Sequence, residues 1–352
     1  VRLFHLSHTD LDGHSCHVVA SKFIENTKLY NANYGAEVSV KLRQICQDIF
    51  TSCKKNDQVL LLITDLNLTS QECDFIEQEC EKLSNFGIDI ELKLLDHHIS
   101  GKEQAGAHKW YGLDIEKSAT KLTFEYFCAR FPSVAIEKEF ELFVRSVNAV
   151  DIWLDNDDFF EFGKVFMRLV LEAKEINRTM FSSDHAKYRA ELLKKALCFL
   201  AAENLENKHI ELDDSVHKLR KEYLSGGKEN NTIDNLTSSF IIGLLSQRKN
   251  QMSISIRDKK GIFTTGLGNV SVVANSFLKA NDDFDFVLDI SGKGNVSLRS
   301  NGKANVCDIA RDYFGGGGHI NASGGKLPNA REFYTYEEYL SNINNYISSK
   351  EF

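Results

Sequence analysis

Val59-Leu60-Leu61-Leu62-Ile63-Thr64-Asp65 is five apolar residues in a row running into a polar pair. So short and so uniformly apolar a run reads as a buried strand. Working outward, Leu3 to Ser7 reads as a strand before it, Leu29 to Asn33 as a weaker one, and Ile88 to Leu95 as one after it. Stretches of helical spacing lie between them: Gly13 to about Asn26, Glu37 to Phe50, and about Ser70 to Leu83 with Thr69 as N-cap. This β-α-β-α order predicts a parallel sheet covered on both faces, so the fold class is α/β.

Residues 118–150 and 184–225 look helical, with Ser118 and Ser183 as caps. Gly226-Gly227-Lys228-Glu229-Asn230-Asn231 is polar and glycine-bearing and reads as a linker. Beyond it, Ser239–Leu245, Met252–Arg257, Phe284–Ile290 and Asn295–Ser300 read as short strands, and Asn305–Phe314 as a helix running into four glycines. The expected organisation is a parallel-sheet domain over 1–185, a helical connection and linker over 186–232, and a smaller mixed α/β domain over 233–352. There is no internal repeat.

The 352 residues carry 50 acidic and 42 basic side chains, a net charge of −8. That balance argues against a surface built to grip long duplex nucleic acid. No apolar run approaches the ~20 residues needed to span a bilayer, so no membrane partner is expected. The opening Val1-Arg2-Leu3-Phe4-His5-Leu6 is too short and interrupted for a signal peptide. Eight scattered cysteines without a Cys-x-x-Cys pair fit a reducing cytoplasm rather than structural zinc. The sequence leaves a homodimer open.

The strand ends carry the chemistry. The first strand runs into His8-Thr9-Asp10-Leu11-Asp12-Gly13, the second buried one into Thr64-Asp65, and the third into Asp96-His97-His98. Asp151 ends an apolar helical stretch and can join them. In an open parallel sheet the carboxyl ends of the strands form the ligand crevice. A single strand-end aspartate is ordinarily a turn or a helix cap. A set of them is different, because two carboxylates ~4 Å apart repel by about 4 kcal/mol at an effective dielectric near 20. Divalent metals resolve that conflict. Mixed carboxylate and imidazole donors without thiolate suit Mn2+, with Mg2+, Co2+ or Zn2+ as substitutes. Two such ions would promote hydrolysis of a phosphoester or phosphoanhydride.

These four ordered motifs resemble those of the DHH phosphoesterase superfamily. The resemblance implies two divalent metal ions, commonly manganese, with Asp65 bridging them, Asp12, His97 and Asp151 on one ion and Asp10 on the other. It implies that His98 touches the scissile phosphate or assists the leaving group. Asp96 is expected to orient an imidazole rather than ligate. One position departs from the pattern. Leu6 stands where many members carry a ligating His, and His8 stands where RecJ-like members carry an Asp, so His8 is the expected replacement ligand, ahead of His5.

Phe314-Gly315-Gly316-Gly317-Gly318-His319-Ile320-Asn321-Ala322-Ser323-Gly324-Gly325 is the second dense signal. Glycines so clustered can present backbone N–H groups to an anion. The stretch resembles the Gly-Gly-Gly-His signature of the DHH-associated C-terminal domain of RecJ-like and nanoRNase-like enzymes. By that likeness Gly316, Gly317, Gly318, His319, Arg299 and, secondarily, Ser300 contact substrate, across a cleft from the metals. Trp110, Trp153 and the 24 phenylalanines read as core, with no aromatic stacking platform. The implied function is a metal-dependent phosphodiesterase. It would cleave short oligonucleotides or linear or cyclic dinucleotides to nucleoside 5′-monophosphates, with 3′-phosphoadenosine 5′-phosphate phosphatase as a side activity. The rivals are a RecJ-like single-strand exonuclease and a nucleotide-binding sensor that does not turn over.

Overall fold

In the computed structural model, which describes residues 1–228 and 230–350, the chain divides into two units. The first comprises Val1–Lys174 with Ser183–Tyr223, and the second Glu175–Ser182 with Leu224–Phe352. The first opens as β1 (Arg2–Ser7), α1 (Leu11–Phe23), β2 (Thr27–Asn31), α2 (Ala36–Ser52), β3 (Gln58–Thr64), α3 (Ser70–Phe86) and β4 (Asp89–Asp96). It continues as α4 (Lys102–Ala107), β5 (Tyr111–Leu113), α5 (Ala119–Arg130), α6 (Lys138–Asp151), α7 (Phe160–Glu172), α8 (Ser182–Ala196) and α9 (Lys208–Ser225). Its five strands lie in the order β2-β1-β3-β4-β5, all parallel.

The unbroken apolar run follows from burial on both faces of the central strand. Val59, Leu61 and Ile63 join Phe4 and Leu6 in one core with Leu42, Ile45 and Ile49 of α2 and Ile76 and Leu83 of α3. Leu60 and Leu62, equally buried, point the other way. Thr69 caps α3 in a full capping box with Glu72, and Ser118 caps α5 by accepting from Lys121 N. Ser183 is not a cap, because α8 already begins at Ser182.

The second unit holds α10 (Ile233–Arg248), β6 (Ser253–Ile256), β7 (Lys259–Thr264), α11 (Val270–Ala280), β8 (Phe286–Ile290) and β9 (Asn295–Ser300). It ends with α12 (Val306–Phe314), β10 (Gly317–His319), β11 (Ala322–Lys326) and α13 (Tyr336–Ser348). Its mixed sheet has the order β10-β11-β9-β8-β7-β6, in which β7 and β8 run parallel and the other neighbours antiparallel. The expected strand at Ser239–Leu245 is instead the middle of α10. Thr232 caps that helix through Asn235 N, and its buried Leu236, Ile241, Leu244 and Leu245 recur at helical spacing. A short apolar run cannot by itself separate a strand from a buried helix. Within the expected linker, Gly226 and Gly227 take positive φ, and Glu229 lies outside the described residues. Among the described residues no helix is long and apolar enough to cross a membrane.

Candidate functional site

A parallel sheet of order 2-1-3-4-5 reverses its winding between β1 and β3, and the crevice outside the carboxyl ends there is where such folds bind ligands. β1 leads into His8 and Asp10, β3 into Asp65 and β4 into Asp96, His97 and His98. α6 ends on Asp151. The turn after β1 depends on Gly13, since a Cβ there would lie 2.3 Å from the His8 carbonyl oxygen. Asp10 caps α1 by accepting from Gly13 N at 3.1 Å, so it keeps the ordinary strand-end role while facing the crevice. Asp65 sits at φ +57°, a left-handed conformation that aspartate adopts more readily than most residues.

The side chains converge. Three donor groups form, in each of which the ligand atoms lie within 4.8 Å of one another: His8, Asp10 and Asp65; Asp12, His97 and Asp151; and Asp65, His97 and His98. His8 Nδ1 is 2.9 Å from Asp10 Oδ2 and 3.7 Å from Asp65 Oδ2. His97 Nε2 is 3.4 Å from Asp65 Oδ1, 3.5 Å from Asp151 Oδ2 and 3.8 Å from Asp12 Oδ2. Asp65 therefore faces a different imidazole with each oxygen. Asp12 is held by the start of α5, accepting from Ala119 N at 2.7 Å and Thr120 N at 2.9 Å.

This crowding is electrostatically costly. Burial, and then the charges of Asp12 and Asp10, push the Asp65 carboxyl well above the usual range. The same causes in the same order push Asp151 up to about 9, and burial raises Asp12. Asp10 goes the other way: desolvation would raise it, but the hydrogen bond and charge of His8 and the bond from Gly13 N hold it at about 2. Asp65 Oδ2 and Asp151 Oδ2 are buried with no hydrogen-bond partner. Unpartnered buried oxygens among repelling carboxylates and imidazoles, with no thiolate, fit hard or borderline divalent cations.

Around His98 the structure places its neighbour Asp96 together with two tyrosines from outside the motif. Asp96, fully buried, accepts from His98 Nδ1 at 2.7 Å and from Tyr111 Oη at 2.8 Å, and its hydrogen bond raises the His98 pKa. Tyr34 Oη lies 3.1 Å from both His98 ring nitrogens and donates to the Asp65 carbonyl oxygen at 3.3 Å, and its ring centroid is 4.9 Å from that of His8. Sequence reading misses Tyr34 and Tyr111, because neither belongs to a motif. His5 is not near these groups: its ring is buried between Thr64 Oγ1 at 2.8 Å and His17 Nδ1 at 3.0 Å.

In the second unit, Arg299 is half-buried on the side of β9 opposite Val296 and Leu298, with Nη2 3.1 Å from Ser271 Oγ. The Ser300 hydroxyl donates to the Asp285 carbonyl and accepts from Ala304 N, which ties the strand to its neighbours. The glycine cluster divides its duties. Gly315 is the left-handed cap of α12, and Gly317, Gly318 and His319 form the exposed edge strand β10. Gly316 is pressed so closely on β11 that a Cβ would meet the Gly324 carbonyl oxygen at 1.9 Å.

Comparisons with known proteins agree with this architecture. Residues 268–349 match the family model described as the DHHA1 domain. The chain is 40% identical over 345 residues to a 3′,5′-cyclic-nucleotide phosphodiesterase of Helicobacter pylori, covering 97% of this chain and 98% of the relative. It also matches the crystal structure of an uncharacterized protein from Helicobacter pylori G27, with a TM-score of 0.89 at 39% identity and 99% of both chains covered. The chain belongs to the DHH superfamily, with a DHHA1 domain, and is a metal-dependent phosphoesterase.

Proposed function

We propose that the protein is a two-metal phosphodiesterase of small nucleotides that releases nucleoside 5′-monophosphates. Its substrates are 3′,5′-cyclic nucleotides, by likeness to the Helicobacter relative, together with linear or cyclic dinucleotides and short oligonucleotides. The carrying observation is Asp65, whose two oxygens face separate donor groups, His8 with Asp10 on one side and His97 on the other. His8, Asp10 and Asp65 would hold one ion, and Asp65, Asp12, His97 and Asp151 the second, with manganese the best match to the donors. Bound there, the ions would polarise the phosphoryl group and activate water.

The chain's own residues do the rest. Asp12, fixed by two backbone N–H groups, keeps its carboxylate oriented before substrate arrives. Asp96 holds the proton on His98 Nδ1 and so fixes the ring, which leaves Nε2 to touch the phosphate or pass a proton to the leaving oxygen. Residues 1–185 carry this chemistry. Residues 233–352 bind the nucleotide, with Arg299 and His319 on phosphate or base and Gly316, Gly317 and Gly318 allowing close approach. The net charge of −8 favours small substrates over long strands, and the eight free cysteines favour a reducing cytoplasm.

Chromatographic product analysis in Mn2+ tests this with 3′,5′-cyclic AMP, pApA and a long single strand as parallel substrates. The expected result is AMP from the small substrates, abolished by chelator and by Asp65→Ala. Faster cleavage of the long strand would move the protein to the exonuclease class. Tight binding of nucleotides without any product would make it a sensor.

A further inference from the structure

α6 ends in a tight turn in which Leu154 N donates to the Ala149 carbonyl oxygen at 2.7 Å and Ile152 N to that of Asn148 at 3.3 Å. The residue that closes such a turn takes a left-handed conformation, which glycine adopts without steric cost. Here it is Trp153, at φ +58°. Its side chain is not in the core. Trp153 is 66% exposed, the highest value among the exposed large apolar residues described. The ring is nevertheless held at its base, 5.2 Å from the Phe160 ring at 82°. Folding stability explains neither an unfavourable backbone angle nor an exposed indole, and outliers of this kind gather at functional sites.

The position supplies the function. Asp151 Oδ2 lies 3.5 Å from His97 Nε2 in the candidate metal centre, and two residues of chain span no more than about 7 Å. We propose that Trp153 is the stacking surface for the substrate's nucleobase, next to the candidate metal centre that Asp151 joins, where the phosphate would sit. This rests on the nucleotide reading of the site. Stacking on an aromatic face tolerates any base, so Trp153 sets a preference for nucleotides over other phosphodiesters and ranks the bases only weakly.

The chain has two tryptophans, and Trp110 is engaged elsewhere, donating to Glu77 and packed by Tyr111. In a Trp110→Phe protein with Mg2+, Trp153 is the sole indole reporter. Saturating AMP is expected to quench its fluorescence with the midpoint found by calorimetry, and ribose 5-phosphate is expected to leave it unchanged. In the otherwise native chain, Trp153→Gly is expected to raise the KM for 3′,5′-cyclic AMP about tenfold, keep kcat within about twofold and leave the melting temperature equal or higher, with Trp153→Phe restoring most of the KM. Binding of AMP without quenching, or an unchanged KM in Trp153→Gly, overturns the stacking role alone. A dimer that Trp153→Gly converts to monomer at unchanged KM reassigns the ring to a subunit contact. Absence of both AMP binding and nucleotide hydrolysis overturns the nucleotide reading and this inference together.

Discussion

The two sheets present their polar residues in opposite ways. At the edge of the parallel sheet, Asp12, Asp65 and Asp96 are buried, and Asp12 and Asp96 are fixed by groups from other elements. In the mixed sheet, Gly317, Gly318 and His319 of the edge strand are exposed, and Arg299 on the interior strand β9 is half-buried beside Ser271. The first arrangement raises the pKa values of the Asp12 and Asp65 carboxyls, a crowding that a cation would relieve, whereas the second gathers no like charges. Rigid, costly placement belongs with bond breaking, and open placement with holding a substrate of variable shape. Each unit is thus expected to respond to mutation differently.

The largest contrast is expected at Asp65. Asp65→Asn should lower kcat by at least about a thousandfold. It should also raise the melting temperature of the metal-free protein, by about 2–4 °C per kcal/mol of relieved repulsion, while cutting the stabilisation that Mn2+ confers. Thermal melts with and without Mn2+ check both signs. A metal-free Asp65→Asn protein less stable than wild type would show that the site stores no repulsion.

His98 and Arg299 compare the two units directly. His98→Ala should lower kcat about a hundredfold with little change in KM, consistent with a group acting on the reacting phosphate. Arg299→Ala should raise KM about tenfold and spare kcat. Steady-state kinetics on one substrate decides it, and an equal loss of kcat in both variants would erase the distinction. Tyr34→Phe, which removes the hydroxyl from His98 and from the Asp65 carbonyl, should lower kcat only about threefold to tenfold.

The smallest effect is one of stability. Burial, only partly opposed by hydrogen bonds with Asn31 and the Tyr30 backbone, lowers the pKa of His17 to about 3 beneath β1. Its contribution is complete above the unfolded value near 6.5 and declines as pH falls from there toward about 3, because only the unfolded chain takes up the proton. The slope is about 1.4 kcal/mol per pH unit. Denaturant melts between pH 6 and pH 4 should show a shallower decline for His17→Gln than for wild type, and equal slopes would contradict it.

Much of the parallel-sheet site is legible because its residues follow apolar runs that alternate with stretches of helical spacing and so read as buried strands. His8, Asp65 and His97 are found by asking where each run stops. What is not legible comes from distance along the chain. Asp12 is anchored by Ala119 and Asp96 by Tyr111, partners that helix packing and the parallel register of β4 on β5 bring together. Tyr34 follows β2, the weakest of the strand signals. The second unit is harder still. Its apolar runs are short, and α10 shows that such a run, read without the residues flanking it, does not declare whether it is helix or strand. Trp153 carries the same lesson for single residues, since composition assigns an indole to the core and only its turn exposes it.

The central claim is that Asp65 joins two ions. Electron paramagnetic resonance during a Mn2+ titration tests it most directly. Wild type should bind two ions per chain with an exchange-coupled dinuclear signal, and Asp65→Asn should show only isolated Mn2+. A single ion per chain, or two ions without coupling in the wild-type protein, would contradict the account.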